Sequence, residues 1–255
     1  MTQLFAELFN AISPAQLLLV WGVVVFAAVM RAFTGFGFAL TAVPVFALFM
    51  APTQAVVLSA SLTLAVSLLT LKTYWGQYPL KPMVPMVLLS GIGTVVGAAS
   101  LTLISPDQFK LWVGLSVILA CAGLTFYKPA KQKSRPVLGG ITGLASGLMN
   151  GAFAIPGPPV IVYAMATEST PARSRALLMT FFLFSAILGL GSYAAAGFMT
   201  AESPWLFLLA FPAMYLGDKL GYRLFHRYGT ELYRRVALGV LFAVGASITA
   251  NAVLG

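Results

Sequence analysis

Hydroxyl side chains recur along one apolar stretch of the chain, where they could bind a small anion. Ser59, Thr63, Ser67 and Thr70 are separated by four, four and three residues, so a helix would carry them on one face. Each hydroxyl can donate one hydrogen bond, but in membrane helices it often donates that bond to its own backbone. The stripe is therefore compatible with two roles, anion binding and hydrogen bonds to carbonyl groups of its own helix. We assign Ser59 and Thr63 to substrate binding.

Two other apolar stretches are interrupted by glycine beside a polar residue. Thr34 and Gly35 stand at the first interruption, and Asn150 and Gly151 stand at the second. A broken helix leaves backbone N–H groups without partners, and the start of the next helix adds partial positive charge, so the two together favour an anion. We expect a new helix to start directly after each glycine, and we assign all four residues to substrate binding.

Three further side chains are candidates with competing structural roles. Arg31 precedes the first interruption, where its guanidinium group could hold two anion oxygens or simply anchor a helix at the inner surface. Gln54 precedes the hydroxyl stripe and would add neutral hydrogen bonds to an anion. Asp218 is the only acid expected inside a long segment, where it could carry a coupling proton or form a local ion pair beside Lys219.

The rest of the composition argues against an enzyme. The 255 residues include one His and one Cys, and they contain neither His-Glu-x-x-His nor Gly-x-Ser-x-Gly. No apolar segment holds a pair of acids that could bind a metal or act as an acid and base. We therefore expect no catalytic residue, no metal site and no cofactor.

The chain as a whole has the composition of an integral membrane protein. Hydrophobic residues make up 60% of it and charged residues 8%, so most of the chain must lie in hydrocarbon. Segments two, six and seven are shorter than the roughly 20 residues that cross a bilayer. The ten predicted helical segments are 14–33, 36–50, 54–71, 83–103, 109–127, 137–149, 152–166, 174–197, 205–225 and 231–253.

Positive charge between the segments predicts the topology. The loop with Lys128, Lys131, Lys133 and Arg135 carries no acid, which places it in the cytoplasm. Counting outward puts every basic residue except Lys110 on that side and both termini in the periplasm, so the charge reports topology rather than nucleic-acid binding. In an alternative that leaves this count unchanged, segments one and two, and six and seven, form re-entrant hairpins.

The two halves of the sequence resemble each other. Gly93-Thr-Val-Val-Gly97 corresponds to Gly217-Asp-Lys-Leu-Gly221 at an offset of 124 residues. Five segments per half is an odd number, so the halves would have opposite orientations, as in many secondary transporters with broken helices. We expect an all-α membrane fold of two inverted repeats with short broken or re-entrant helices: a first repeat over 1–127, a cytoplasmic basic linker over 128–136 and a second repeat over 137–255.

A glycine recurs at every fourth position of segment six. Gly139, Gly143, Gly147 and Gly151 would form a ridge along one helical face. Ridges of small residues let helix backbones approach closely in membranes. We expect this ridge to pack against another helix.

These motifs resemble the sulfite exporter TauE/SafE family, also called the toluene-sulfonate uptake permease family. The resemblance lies in the Gly-Phe-Gly at 35–37, the Val-Pro that ends at Pro44, the stretch 147–159, and the pair Gly217 and Gly221 with the basic turn after it. It implies a multi-pass transporter of the bacterial inner membrane that carries sulfite, sulfonates or related sulfur-containing anions. The resemblance favours export.

Other functions stay open at this point. Thr34-Gly35-Phe36-Gly37 is similar to a potassium-channel filter, which favours an ion channel as one alternative, and an anion transporter for a non-sulfur carboxylate is another. For the transporter, we expect alternating access to a central site between the two interruptions. Its partners would be a small anion and membrane lipid. The coupling ion, a proton or sodium, and the formation of a homodimer are left open.

Overall fold

The computed structural model describes residues 14–34, 37–126, 134–228, 239 and 242–250. In these ranges the chain is helical and has no β-strand, which confirms the all-α membrane fold. Residues 242–250 are also helical. The helices are α1 (Pro14–Thr34), α2 (Ala39–Phe46), α3 (Pro52–Leu69), α4 (Val84–Leu101), α5 (Pro106–Phe126), α6 (Pro136–Phe153), α7 (Gly157–Thr167), α8 (Pro171–Ala195) and α9 (Ser203–Tyr228).

Proline and turn residues set many of these boundaries. Pro52, Pro136 and Pro171 each occupy the first turn of a helix, where the missing N–H costs nothing and the fixed φ suits the helix. The hydroxyl of Thr170 also accepts a hydrogen bond from the N–H of Arg173, which caps α8. The boundaries predicted from the sequence agree with these helices to within a few residues, except around the second interruption.

The second interruption lies further along the chain than the sequence suggested. Segment six was expected to be short and to end before Asn150, but α6 has 18 residues and continues to Phe153. It ends because Ala154 adopts the left-handed conformation, with φ of 56°, and Pro156 follows. The expected helix start directly after Gly151 is therefore wrong, and α7 begins at Gly157.

The first interruption is described only in part. Gly35 and Phe36 lie outside the described residues. The helix that follows the first interruption, α2, begins at Ala39, three residues after the expected start at Phe36. Gly37 has φ of +98°, a conformation that favours glycine, and it turns the chain into α2. Both short helices, α2 with eight residues and α7 with 11, thus follow an irregular turn.

Helices α4 and α6 run parallel with their backbones in close contact. A Cβ added to Gly143, Gly147 or Gly151 would lie 2.0–2.2 Å from a carbonyl oxygen of α4. From the other side, Gly93 and Gly97 approach carbonyl oxygens of α6 in the same way. The predicted packing ridge is therefore confirmed for these three α6 glycines, whereas the first glycine of the ridge makes only an ordinary contact with a side chain.

Helices α1 and α9 form an equivalent parallel pair. A Cβ on Gly217 would lie 2.6 Å from the carbonyl oxygen of Val25, and one on Gly221 would lie 2.6 Å from the Cβ of Ala32. Near the start of α1, Trp21 donates a hydrogen bond to the carbonyl oxygen of a residue in α9. Helices α1 and α6 thus each run beside a long helix, and the short elements are α2 and α7.

The described helices have the length and surface of membrane spans. Among the described residues, four segments are long and apolar enough to cross a bilayer: Ala15–Ala32, Pro52–Leu69, Lys81–Leu101 and Pro171–Ala195. Large apolar side chains such as Leu88, Ile92 and Leu119 are exposed on outward faces, as contact with lipid requires. The chain is a multi-pass membrane protein.

Candidate functional site

A small cavity lies where the two helix interruptions meet. Its walls are residues 37–40 at the start of α2, residues 154–157 before and at the start of α7, two residues each of α3 and α8, and Asn150 of α6. It encloses about 20 Å³, close to the smallest volume that admits one water molecule. A larger solute could enter only if these walls separate.

One hydroxyl group without a partner among the described residues lines this cavity, and four others are buried on the helices α3, α4, α6 and α8. Thr63 lines it, and its Oγ1 is buried with no hydrogen bond to any described residue. Ser59, one turn earlier on α3, and Ser185, on α8, are buried in the same state, as are Ser90 and Ser146 at the contact between α4 and α6. A buried hydroxyl without a partner is costly. The structure thus places Ser59 and Thr63 on an inward face, as the spacing predicted, and their role as ligands stays a prediction.

The far end of the hydroxyl stripe has a different use. Thr70 donates a hydrogen bond of 2.7 Å to the carbonyl oxygen of Val66, in its own helix turn. The carbonyl oxygen of Ser67 accepts a bond from the phenol of Tyr74. The stripe therefore divides into Ser59 and Thr63, whose hydroxyls have no partner among the described residues, and Ser67 and Thr70, which lie at the C-terminal end of α3.

Asn150 reaches the cavity, but its amide nitrogen is already used. Its Nδ2 donates to the carbonyl oxygen of Ser185 at 2.8 Å and to Oγ1 of Thr94 at 3.3 Å. Because the Thr94 hydroxyl gives its own hydrogen to the carbonyl oxygen of Ser90, it can only accept from Asn150, and this fixes the orientation of the amide. No described residue donates to Oδ1. Oδ1 is therefore the side-chain acceptor that remains on this cavity-lining residue.

The two short helices direct unequal sets of donors at the cavity. At the start of α2, residues 38–40 line the cavity, and their N–H groups have no acceptor within the helix. At the start of α7, Pro156, Pro158 and Pro159 have no N–H, so Gly157 supplies the only backbone donor of that first turn. The donor side of the cavity is thus formed by α2 together with Thr63 of α3.

The structure places Arg31 and Asp218 together, away from the cavity lining. Arg31 is buried and donates to Oδ1 of Asp218 at 3.1 Å and to Oγ1 of Thr70 at 3.0 Å. The sequence suggested Lys219 as the neighbour of Asp218, but the Nζ of Lys219 lies 4.4 Å over the ring of Tyr215 instead. Arg31 therefore balances an acid where α1, α9 and the end of α3 meet, and it is not among the residues that line the cavity.

Gln54 is also separate from the central cavity. It lines a smaller cavity at the other end of α3, together with Thr200, Glu202 and Ser203 near the start of α9. The expectation that Gln54 neighbours the central site is therefore wrong. The reason is that Gln54 lies at the start of α3, about two and a half turns before Thr63.

Three residues of the predicted interruptions do not form a described site. Thr34 is the last residue of α1, and its side chain lies outside the described part of the chain, as do Gly35 and most of the filter-like stretch. Gly151 lies inside α6, where it permits contact with α4. The assignment of Gly151 to a helix start is wrong, because glycine in this membrane helix serves packing.

Sequence reasoning missed a buried acid at the end of α7. Glu168 accepts hydrogen bonds from the phenol of Tyr78 and from Nε of Arg173, each at 3.1 Å. Burial and the nearby carboxylate of Glu168 raise the pKa of Tyr78 above its usual range. These hydrogen bonds of Glu168 connect the loop between α3 and α4 to the turn between α7 and α8. An acid two residues before the threonine cap of α8 was the only signal in the sequence.

Comparison with known proteins gives a consistent result. A family model described as Sulfite exporter TauE/SafE matches residues 20–248. A protein of Cupriavidus necator named "Probable sulfite/organosulfonate exporter TauE" is 31% identical over 157 residues. That match covers 61% of this chain and 59% of the relative. No solved structure matches the chain significantly.

Proposed function

The chain belongs to the sulfite exporter TauE/SafE family, and from this we propose that it is a secondary transporter that exports sulfite or a related small sulfur-containing anion across the bacterial inner membrane. The observation that carries the proposal is the central cavity, which both helix interruptions line together with the unpartnered hydroxyl of Thr63. Broken helices that meet inside a membrane protein are a usual place for a transported solute. The family is one of transporters rather than enzymes.

The contacts between helices support two inverted repeats, 1–127 and 137–255. The first helix of each half packs against the fourth of the other: α1 against α9, and α6 against α4. The third helices, α3 and α8, pack against each other, and each also contacts the fourth helix of the other half. An exchange of the two halves would map this set of contacts onto itself. Alternating access in such folds arises when one half moves against the other.

Charged contacts at the inner ends of the helices supply a gate in this proposal. Arg31 joins α1 to Asp218 of α9 and to Thr70 at the end of α3. Arg175 of α8 donates to the carbonyl oxygen of Ala32 in α1. Opening of the cavity toward the cytoplasm requires these contacts to separate. Protonation of Asp218 would remove the ion pair with Arg31, which links a proton to that step; sodium is the alternative coupling ion.

Transport by purified protein in proteoliposomes tests the proposal. Labelled sulfite, methanesulfonate, taurine, acetate and sulfate are offered with and without a pH gradient. We expect saturable flux of a sulfur anion, and Thr63→Val should lower kcat/KM about tenfold because one donor to the anion is lost. Ser61→Ala is the matched control on α3, since the Ser61 hydroxyl bonds the carbonyl oxygen of Val57.

Two results would contradict the proposal. Rapid, unsaturable potassium flux without anion transport would favour the channel alternative. Saturable flux of acetate without any sulfur anion would favour a carboxylate transporter. A loss of flux in Ser61→Ala equal to that in Thr63→Val would remove the argument from the cavity.

A further inference from the structure

The central cavity has no charged side chain in its lining. None of the lining residues is an acid, a lysine, an arginine or a histidine. On the helices that form the walls, α2, α3 and α6 carry no titratable side chain, and the titratable residues of α7 and α8 are Tyr163, Arg173, Arg175 and Tyr193. None of these lines the cavity, and α4, which packs against Asn150, has none either. Burial of a second negative charge here would lack a compensating cation.

The hydrogen-bonding groups of the cavity are of two kinds on two sides. The donors are the hydroxyl of Thr63 and the first N–H groups of α2, residues 38–40. The acceptor is Oδ1 of Asn150, because Nδ2 is held by α4 and α8. An oxyanion without a proton would satisfy the donors and leave Oδ1 of Asn150, a buried residue, without a donor, which is unfavourable. A singly protonated oxyanion satisfies both sides.

We propose that the cavity selects a monoanion that carries its own hydrogen-bond donor, so that sulfite is bound as hydrogen sulfite. Its charged oxygens accept from Thr63 and the start of α2, and its proton is donated to Oδ1 of Asn150. This inference rests on the proposed function and adds the protonation state of the substrate. Asn150 is then the residue that distinguishes hydrogen sulfite from sulfite, and from anions that have no donor.

The pH dependence of exchange tests this inference in the unmodified protein. Proteoliposomes are loaded with unlabelled substrate, held at equal pH on both sides between pH 6 and 8, and assayed for entry of labelled sulfite. At pH values above the pKa of hydrogen sulfite, the KM for total sulfite should rise about tenfold per pH unit, because the fraction present as the monoanion falls by that factor. Methanesulfonate is a permanent monoanion without a donor, so its KM should stay constant, which controls for titration of the protein.

Competition at a single pH separates charge from the donor. At the acid end of the range, unlabelled hydrogen sulfite should inhibit entry of labelled sulfite at about tenfold lower concentration than methanesulfonate does. The reason is that only hydrogen sulfite can donate a hydrogen bond to Oδ1 of Asn150. Sulfate, a dianion, should inhibit least. Asn150→Leu, which is similar in size and has no acceptor, should remove the preference for hydrogen sulfite. Where this variant does not fold, the pH profile of the unmodified protein decides.

Other outcomes would overturn the inference. A KM for total sulfite that is constant or falls with rising pH would identify the dianion as a substrate, and transport itself would stand. Sulfate that competes as well as methanesulfonate would show that charge is not selected. If no sulfur anion exchanges at any pH, the proposed function fails, and the inference fails with it.

Discussion

Arg31 and Asp218 form a partly buried charged contact between α1 and α9, and its loss should be measurable. Asp218→Asn removes the charge that balances Arg31, which is 7% exposed. We expect a loss of about 2 kcal/mol of stability, because an arginine is left buried without its counter-ion. The measurement is the Tm of purified protein in detergent. Asp107→Asn is the control, since the pair of Asp107 with Lys110 is exposed and such pairs contribute little.

Restoration by a second change distinguishes pairing from a loss of local structure. Arg31→Gln combined with Asp218→Asn should recover part of the Tm, because the buried charge is gone. A double variant as unstable as the sum of the two single variants would contradict the ion pair. If Asp218 also carries the coupling proton, Asp218→Asn should abolish the stimulation of transport by a pH gradient and keep exchange between equal pH values.

Single residues of the site could be predicted only as far as local spacing reaches. Thr63 and Asn150 stand out because polar residues are rare in apolar stretches, and both line the cavity. The sequence could not show that Thr94 and Ser185 take up the amide nitrogen of Asn150, since these partners come from other helices. The same limit explains why Gln54 and Arg31 were expected at the site.

At the scale of the helices, a glycine in a membrane segment can either mark a helix break or allow close packing of two helices, and the sequence does not distinguish the two roles. Gly151 was interpreted as a break, yet α6 passes through it, because the absence of a side chain serves contact with α4. The actual break depends on the left-handed conformation of Ala154, a residue type for which that conformation is unusual. Pro156, two residues later, indicates that the helix ends nearby, but no local pattern assigns the left-handed conformation to Ala154.

The packing of α4 on α6 predicts a specific sensitivity to added methyl groups. In Gly147→Ala, the new Cβ would lie 2.2 Å from the carbonyl oxygen of Ser90, so the helices must separate. We expect a loss of about 1–3 kcal/mol, as for other overpacked contacts. The Tm in detergent measures it. Gly191→Ala on α8 is the matched control, because no atom beyond the adjacent backbone of α8 lies within 4 Å of its added Cβ. Equal Tm values for both variants would contradict the close backbone contact.

At the scale of the whole molecule, the internal correspondence in the sequence has a structural counterpart. Gly93 and Gly97 let α4 approach α6, and Gly217 and Gly221 let α9 approach α1. Each pair therefore allows the same kind of close contact with the first helix of the other half. The offset of 124 residues predicted that the pairs are equivalent. It could not predict which helix each pair packs against, because that depends on tertiary structure. This equivalence is the main support for the proposed inverted repeats.

The orientation of the whole chain decides what the charged contacts at one end of the helices do. With the basic loops in the cytoplasm, the exposed loop residue Gln77 lies inside and the exposed Thr102 lies outside. In a background in which the buried Cys121 is replaced by Ala, a membrane-impermeant thiol reagent should label Thr102→Cys in intact cells. Gln77→Cys should be labelled only after permeabilisation.

The reverse labelling pattern would change the mechanism as well as the topology. Arg31, Asp218 and Thr70 lie at the same end of the fold as Gln77, since Thr70 and Gln77 belong to one turn between α3 and α4. If that end faced the periplasm, the ion pair would close the outer side of the cavity. Protonation of Asp218 would then be linked to release of the anion outside rather than to its entry from the cytoplasm, and the proposed inner gate would have to be reassigned.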